Sequence, residues 1–301
     1  MKFTTGGIEK IITHGLFLGD LSKYSDKKYV LVEGNLDRTF FINLCQHYDV
    51  YNTKFYSIEH INIKTKLFEH NDQKNNLLSI FYDPFSSENI KEYNFYGIID
   101  KDFEFDKKYD RIYTYDTHDL ETQLIFLDGI SQTKLNIDIN KEIIEKAMYM
   151  TYQLAIIKYY AQKESINITT FSPADYKSYF NGLQINCIKT INKMCKNKKT
   201  ADYVTKVLLK SKLFDKNGTY NISLNDFINN EPNNLWDMIN GHDFLKMLVY
   251  LTQSPENWHK YDNMLNGKLN RPLEEKLINS FNYNLFKNTK LYSDMKNVAL
   301  L

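Results

Sequence analysis

The feature that most constrains this chain is an order repeated along its first half. A short run of β-branched and aliphatic residues stops at a small or acidic residue, and a helical pattern follows. KYVLVEG (28–34) ends at Gly34, and LDRTFFINLCQHY (36–48) then places Leu36, Phe40, Phe41, Leu44 and Cys45 at helical spacing. NFYGIID (94–100) ends in an acidic turn. RIYTYD (111–116) leads into DLETQLIFL (119–127), whose Leu120, Leu124 and Leu127 share one helical face. Residues 51–63 have room for a further strand, NLLSIFY (76–82) reads as a strand or a helix end, and the polar stretch 69–76 reads as a loop. Strand–helix alternation of this kind predicts an α/β fold built on a parallel sheet.

Beyond about residue 138 the pattern changes. KEIIEKAMYMTYQLAIIKYYAQKE (141–164) is a long amphipathic helix, and SPADYKSYF, TADYVTKVLLKSK, NDFINN, PNNLWDMINGHDFLKMLVYLT and RPLEEKLINSFN each pair a helix-start residue with three- and four-residue spacing. Two domains are therefore expected: an α/β domain over 1–138, with its core at about 28–130, and a mainly helical domain over 139–301 for substrate or partner binding and dimerisation. No linker rich in Pro, Gly or Ser divides them, so the halves are expected to pack together. With 301 residues, 43% of them hydrophobic, a substantial core is available, and no run approaches the roughly 18 apolar residues of a membrane span. The opening MKFTTGGIEKIITHG lacks the basic-then-apolar order of a secretory signal, and Cys45, Cys187 and Cys195 form no CxxC pair. A reducing cytoplasm without disulfides is the expected setting.

Acidic residues fall where a parallel sheet collects ligands. Glu33 closes the first strand, Asp100 and Asp102 close NFYGIIDKD, and Asp119 with Glu121 follows RIYTYDTH. C-terminal strand ends share one edge, and the following helix N-termini point at it. Residues i and i+2 of a strand face the same side, so Asp100 and Asp102 can both reach one hard cation, with Lys101 pointing away. Mg²⁺ accepts such oxygen ligands and keeps waters for substrate phosphates. A lone Glu-Gly is an ordinary turn and a lone DxD a solvated one. The specific signal is their combination: a hydrophobic strand, Glu-Gly-x-x-Asp and a helix, then about 65 residues later a hydrophobic strand and Asp-x-Asp.

On VEGNLD (32–37) and IIDKD (98–102) the chain resembles the Toprim domain of topoisomerases, primases, maturation nucleases and OLD-family nucleases. THDLETQLI (117–125), LWDMINGHDFLKML (235–248) and PLEEKLINSF (272–281) extend the resemblance to the AriB-like Toprim proteins, effectors of PARIS anti-phage systems. The resemblance implies Glu33 as general acid/base or metal ligand and Asp100 and Asp102 as metal-binding aspartates. It implies Asp37 and Glu121 as further acidic ligands, and Glu104, His118, Asp119 and His242 in supporting roles. His118 reads as an orienting or structural residue, and an acid at 119 is also explained by the helix dipole. The resemblance further implies an endonuclease using Mg²⁺ or Mn²⁺, a nucleic-acid substrate (RNA, with tRNA the expected target, or DNA), an ABC-type, AriA-like ATPase partner, and a homodimer when active. Two alternatives stand beside it. One is a non-catalytic Toprim-like subunit docking on the ATPase; the other is an OLD-type DNA nuclease, disfavoured because the chain has no GxxxxGK[ST] motif of its own.

Net charge is only +1, yet between Lys189 and Lys212 eight lysines face the single acid Asp202, a local +7 that leaves the remainder at about −6. Lys189, Lys193, Lys196, Lys198 and Lys199 are the candidate phosphate contacts, against the reading of a solvated helix face. Gly241-His242-Asp243 interrupts a strong helical pattern, which points to close packing or a bend at Gly241.

Overall fold

The structure is a computed structural model describing residues 12–13, 27–62, 72–82, 94–105, 107–164, 178–195, 197–252 and 272–301. Its chain divides into two compact units. One comprises 1–100, 106–116 and 282–301, the other 101–105 and 117–281. This division differs from a single boundary at residue 138: the chain leaves the first unit at Asp100 and again after Asp116, and its last twenty residues return to it.

The first unit is built on four parallel strands, β1 (Lys28–Val32), β2 (Thr53–Ser57), β3 (Phe95–Ile99) and β4 (Ile112–Thr114), ordered β2-β1-β3-β4. This is the expected α/β architecture. β1 lies inside the sheet and is buried on both faces from Tyr29 to Val32, as its unbroken apolar run requires. On one face, Tyr29, Leu31, Phe95, Ile99 and Ile112 pack with Leu77, Leu78, Ile80 and Phe81 of helix α2 (Gln73–Tyr82). Gly97 lets that helix approach, since a Cβ there would come within 3.2 Å of Ile112, Leu77 and Phe81. On the other face, α1 (Asn35–His47) turns Phe41 onto Phe55 of β2, with ring centroids 5.3 Å apart and planes 8° from parallel. Phe40 stacks on Tyr283 and meets Phe286 edge-on. The C-terminal segment thereby completes the core under α1, and the Asp116 carboxylate accepts from the Lys290 and Leu291 amides to start the last helix, Lys290–Asn297.

NLLSIFY belongs to α2, and the reading of 69–76 as loop is corrected over its last residues. The helix begins at Gln73, where the Asp72 carboxylate accepts from the Asn75 amide at 2.7 Å.

The second unit is mainly helical, as expected. Its helices are α3 (Leu120–Asp128), α4 (Gln132–Leu135), α5 (Lys141–Lys163), α6 (Cys187–Met194), α7 (Lys198–Lys210), α8 (Leu224–Asn229), α9 (Leu235–Met238), α10 (Gly241–Thr252) and α11 (Pro272–Ser280). α5 buries Ala147, Met150, Leu154, Ile157 and Ala161, and α10 packs along it. SPADYKSYF falls largely outside the described residues. No described helix is long and apolar enough to cross a membrane.

Candidate functional site

In the first unit the sheet's C-terminal edge is set by register. Val32 pairs with Ile98; Glu33 directly follows β1 and Asp100 directly follows β3, whose last residue is Ile99, so both lie at the same edge. The Glu33 carboxylate accepts from the Asp100 amide at 2.8 Å, and both residues remain half-buried, open to solvent. Lys74, in the first turn of α2, donates its ammonium to the Asp100 carbonyl at 2.8 Å. Sequence reasoning missed it because a first turn reading Gln-Lys-Asn-Asn hides the helix; the usable signal was Asp72 as an N-cap. Asp37 belongs to the start of α1. Its carboxylate accepts from the Gly34 amide at 3.0 Å and from the Tyr115 hydroxyl at 2.6 Å. Those two bonds give Asp37 a structural job, holding the Gly34 amide at the start of α1 and tying it to the residue after β4.

The placement of Asp102 by strand alternation is corrected. β3 ends at Ile99, and Asp102 sits in a turn with a left-handed φ of 49°. Its amide donates to the His118 carbonyl at 3.0 Å, and the Glu104 amide donates to the Lys101 carbonyl at 3.1 Å. Alternation governs only residues in extended backbone, so the pattern stops one residue before Asp100. Lys101 pairs with Asp237 at 2.6 Å. Asp102 and Glu104 are half-buried members of the second unit.

The second unit gathers another set of acids around the start of α3. Asp119 is its N-cap: Oδ1 accepts from the Thr122 amide at 2.9 Å, and Oδ2 accepts from the Gly241 amide at 2.7 Å and lies 3.2 Å from His118 Nδ1. Burial pushes the Asp119 carboxyl upward, but the His118 ring and the Thr122 and Gly241 amides outweigh it and hold it below the usual carboxylate range. His118 is buried, with its edge on the Phe103 ring. These contacts make Asp119 and His118 structural.

Glu121 is buried one residue into α3, and His242 bridges it to Glu274 on α11. His242 Nδ1 lies 3.1 Å from Glu274 Oε1, and Nε2 lies 3.9 Å from Glu121 Oε1. Burial lowers the His242 pKa, but Glu121, Glu274 and Asp119 together raise it to about 9, so the ring is an imidazolium at neutral pH. Asp243 is buried and forms an ion pair with Lys158 of α5. Glu274 escaped sequence reasoning because an acid in a first helical turn reads as dipole complement, as its neighbour Glu275 does.

Gly241 is what close packing predicted. A Cβ there would fall 2.4 Å from Glu121 Cβ and 2.7 Å from Asp119 Oδ1, so only glycine admits this contact between α10 and α3.

Among the described residues, no three His, Cys, Asp or Glu side chains gather as a metal cage would. Mg²⁺ does not need one, because one or two carboxylates plus substrate phosphates suffice. The oxygen-only pair Glu33 and Asp100, at a solvent-reachable strand edge, fits that demand. The three cysteines are buried free thiols, and burial pushes Cys45 and Cys187 up to about 12, so neither serves as a nucleophile.

The lysine-rich stretch folds as α6 and α7. Lys189, Lys193, Lys198 and Lys199 are exposed, and Lys196 lies outside the described residues. The opposite faces bury Ile191 and Met194, and Ala201, Val204 and Leu208.

No protein-family model matches the chain, and no curated protein is similar enough to match it.

Proposed function

We propose that this protein is a Mg²⁺-dependent endonuclease that hydrolyses nucleic-acid phosphodiesters, with Glu33 and Asp100 at its reacting centre. One observation carries the reading. Neighbouring parallel strands deliver a glutamate and an aspartate to the same sheet edge, and the backbone amide of the second fixes the carboxylate of the first at 2.8 Å. The resemblance to Toprim domains adds Asp102 and Glu121 as expected acidic ligands, while Asp37 is held by the Gly34 amide and the Tyr115 hydroxyl. Bound there, Mg²⁺ supplies charge neutralisation at the phosphate and a more acidic water.

The chain's own groups do the rest. Glu33, held in one orientation by the Asp100 amide, accepts the proton of the attacking water as the new P–O bond forms and the bond to the leaving oxygen breaks. Lys74 adds positive charge at the same edge, where a phosphate would sit. The resemblance to AriB-like proteins makes RNA, with tRNA foremost, the expected substrate. It also suggests a toxic anti-phage effector, active as a homodimer and restrained by an ABC-type ATPase.

The test is cleavage of labelled tRNA, single-stranded RNA and DNA with Mg²⁺ or Mn²⁺ by wild type and Glu33→Gln. Removing one positioned acid–base group is expected to slow cleavage by roughly 10²–10⁴-fold. Equal cleavage by Glu33→Gln, or no cleavage of any substrate by wild type, overturns the proposal.

A further inference from the structure

In α7, Lys199, Lys206 and Lys210 recur at spacings of seven and four, so they share a face opposite the buried Ala201, Val204 and Leu208. Tyr203 lies on that same face, four residues after Lys199 and three before Lys206, with 52% of its surface exposed. The Tyr203 ring is thus an exposed aromatic on the same helix face as three lysines.

The surrounding charge is also uncompensated. Among the described residues, Lys189, Lys193, Lys198, Lys199, Lys206 and Lys210 form no ion pair. Lys198 and Lys199 occupy the first turn of α7, which holds no acid, so they sit at the positive end of the helix dipole, where an anion is favoured and a cation is not. Beside the stripe lies a shallow hollow of about 430 Å³ lined by Asp202, Thr205, Lys206, Leu209 and Lys210. Asp202 is the single acid there.

We infer that the outer face of α7 binds single-stranded nucleic acid, with Lys199, Lys206 and Lys210 on its phosphates and a base stacked on Tyr203. Lysines alone would suit any polyanion. An exposed ring among them selects strands whose bases are free to stack, because in a duplex the base faces are already occupied. This inference concerns binding and stands apart from the cleavage reading, so it is tested without divalent metal.

Affinity is measured by fluorescence anisotropy in EDTA, with a uridine-rich RNA strand, a DNA strand of the same length, an RNA duplex and heparin as ligands. Lys199→Gln/Lys206→Gln/Lys210→Gln is expected to weaken single-strand binding about fiftyfold at 0.15 M salt and to shrink the salt slope by about 2, from roughly 0.7 per lost phosphate contact on single strands. Tyr203→Ala is expected to lose tenfold or more, and Tyr203→Phe to bind like wild type, since stacking uses the ring and not the hydroxyl. Both sets lie at exposed positions, and a variant pair elsewhere in the unit, Lys141→Gln/Lys163→Gln, is expected to change nothing. RNA and DNA strands binding alike places the preference in the strand state, while RNA alone places it in the sugar; either supports the inference. An unchanged salt slope, a Tyr203→Ala variant that binds normally, or equal competition by duplex or heparin overturns it. Because no divalent metal is present, this assay reads binding alone, and its outcome separates from that of the cleavage test.

Discussion

Gly241→Ala should be one of the most damaging small substitutions in this chain, and its size can be worked from the contacts. The new methyl would sit 2.4 Å from Glu121 Cβ, 2.7 Å from Asp119 Oδ1 and 3.2 Å from the Thr122 amide nitrogen. Carbon atoms in contact prefer about 3.5–4.0 Å, so α10 and the start of α3 must part by about 1 Å. Two of the three obstacles, Glu121 Cβ and Thr122 N, are fixed to backbone and cannot rotate away. Overpacking of this kind costs about 1–3 kcal/mol. The same movement breaks the 2.7 Å bond from the Gly241 amide to the buried Asp119 carboxylate, and a hydrogen bond to a charged group contributes about 1.5–3 kcal/mol. Against this, Ala recovers about 0.4–1 kcal/mol through the unfolded chain. The net loss is about 2–5 kcal/mol, a fall in melting temperature of roughly 5–20 °C for a unit of this size. Gly34→Ala is the matched control: its Cβ would meet the Asp37 carboxylate at 2.9 Å and otherwise only the Leu36 amide at 4.0 Å. A carboxylate tip can shift, so that cost should stay near or below about 1 kcal/mol. Thermal unfolding of both variants by circular dichroism decides it. A Gly241→Ala protein melting within about 2 °C of wild type, or a Gly34→Ala protein destabilised as much, would refute the reasoning.

The His242 imidazolium gives stability a defined pH dependence. Its folded pKa of about 9 lies above the ordinary value of 6.5, so its contribution is complete below about pH 6.5 and is lost as pH rises through 9. The ring is 43% exposed, and solvent screening leaves about 1 kcal/mol of this. Urea unfolding should therefore find His242→Gln less stable than wild type at about pH 6 and equal to it at about pH 10, and a pH-independent gap would remove the charge from the account. Lys74→Met should lower cleavage roughly tenfold or more with an unchanged melting curve, because it removes a charge at the sheet edge and no core contact; unaltered cleavage would confine Lys74 to capping the Asp100 carbonyl. The three buried thiols should resist an aromatic disulfide reagent in the native protein at about pH 8 and react only in urea, and rapid native labelling of Cys45 or Cys187 would contradict their burial.

What the sequence made legible follows from the range of the interaction that sets each feature. β1 and β3 read directly, because strands covered on both faces of a parallel sheet must be apolar, and α1 and α5 read from an apolar stripe repeated over several turns. Glu33 and Asp100 follow from the same local signal, since the residue after a parallel strand lies at the shared edge whatever packs above it. Asp102 marks where that logic fails: its left-handed turn is stabilised by the His118 carbonyl, sixteen residues away, and no local pattern encodes such a partner. The same holds for the return of the C-terminal segment to the first unit. Phe286 meets Phe40 across most of the chain's length, and the acids that hold His242 come from residues 121 and 274. Gly241 is the instructive intermediate, because a glycine inside a strong helical pattern announces that something must come close without saying what. Once Asp119, Glu121 and Thr122 are seen to fill that space, the start of α3 becomes a fixed platform of buried charge, with the Asp119 carboxylate gripped by the Thr122 and Gly241 amides and the His118 ring.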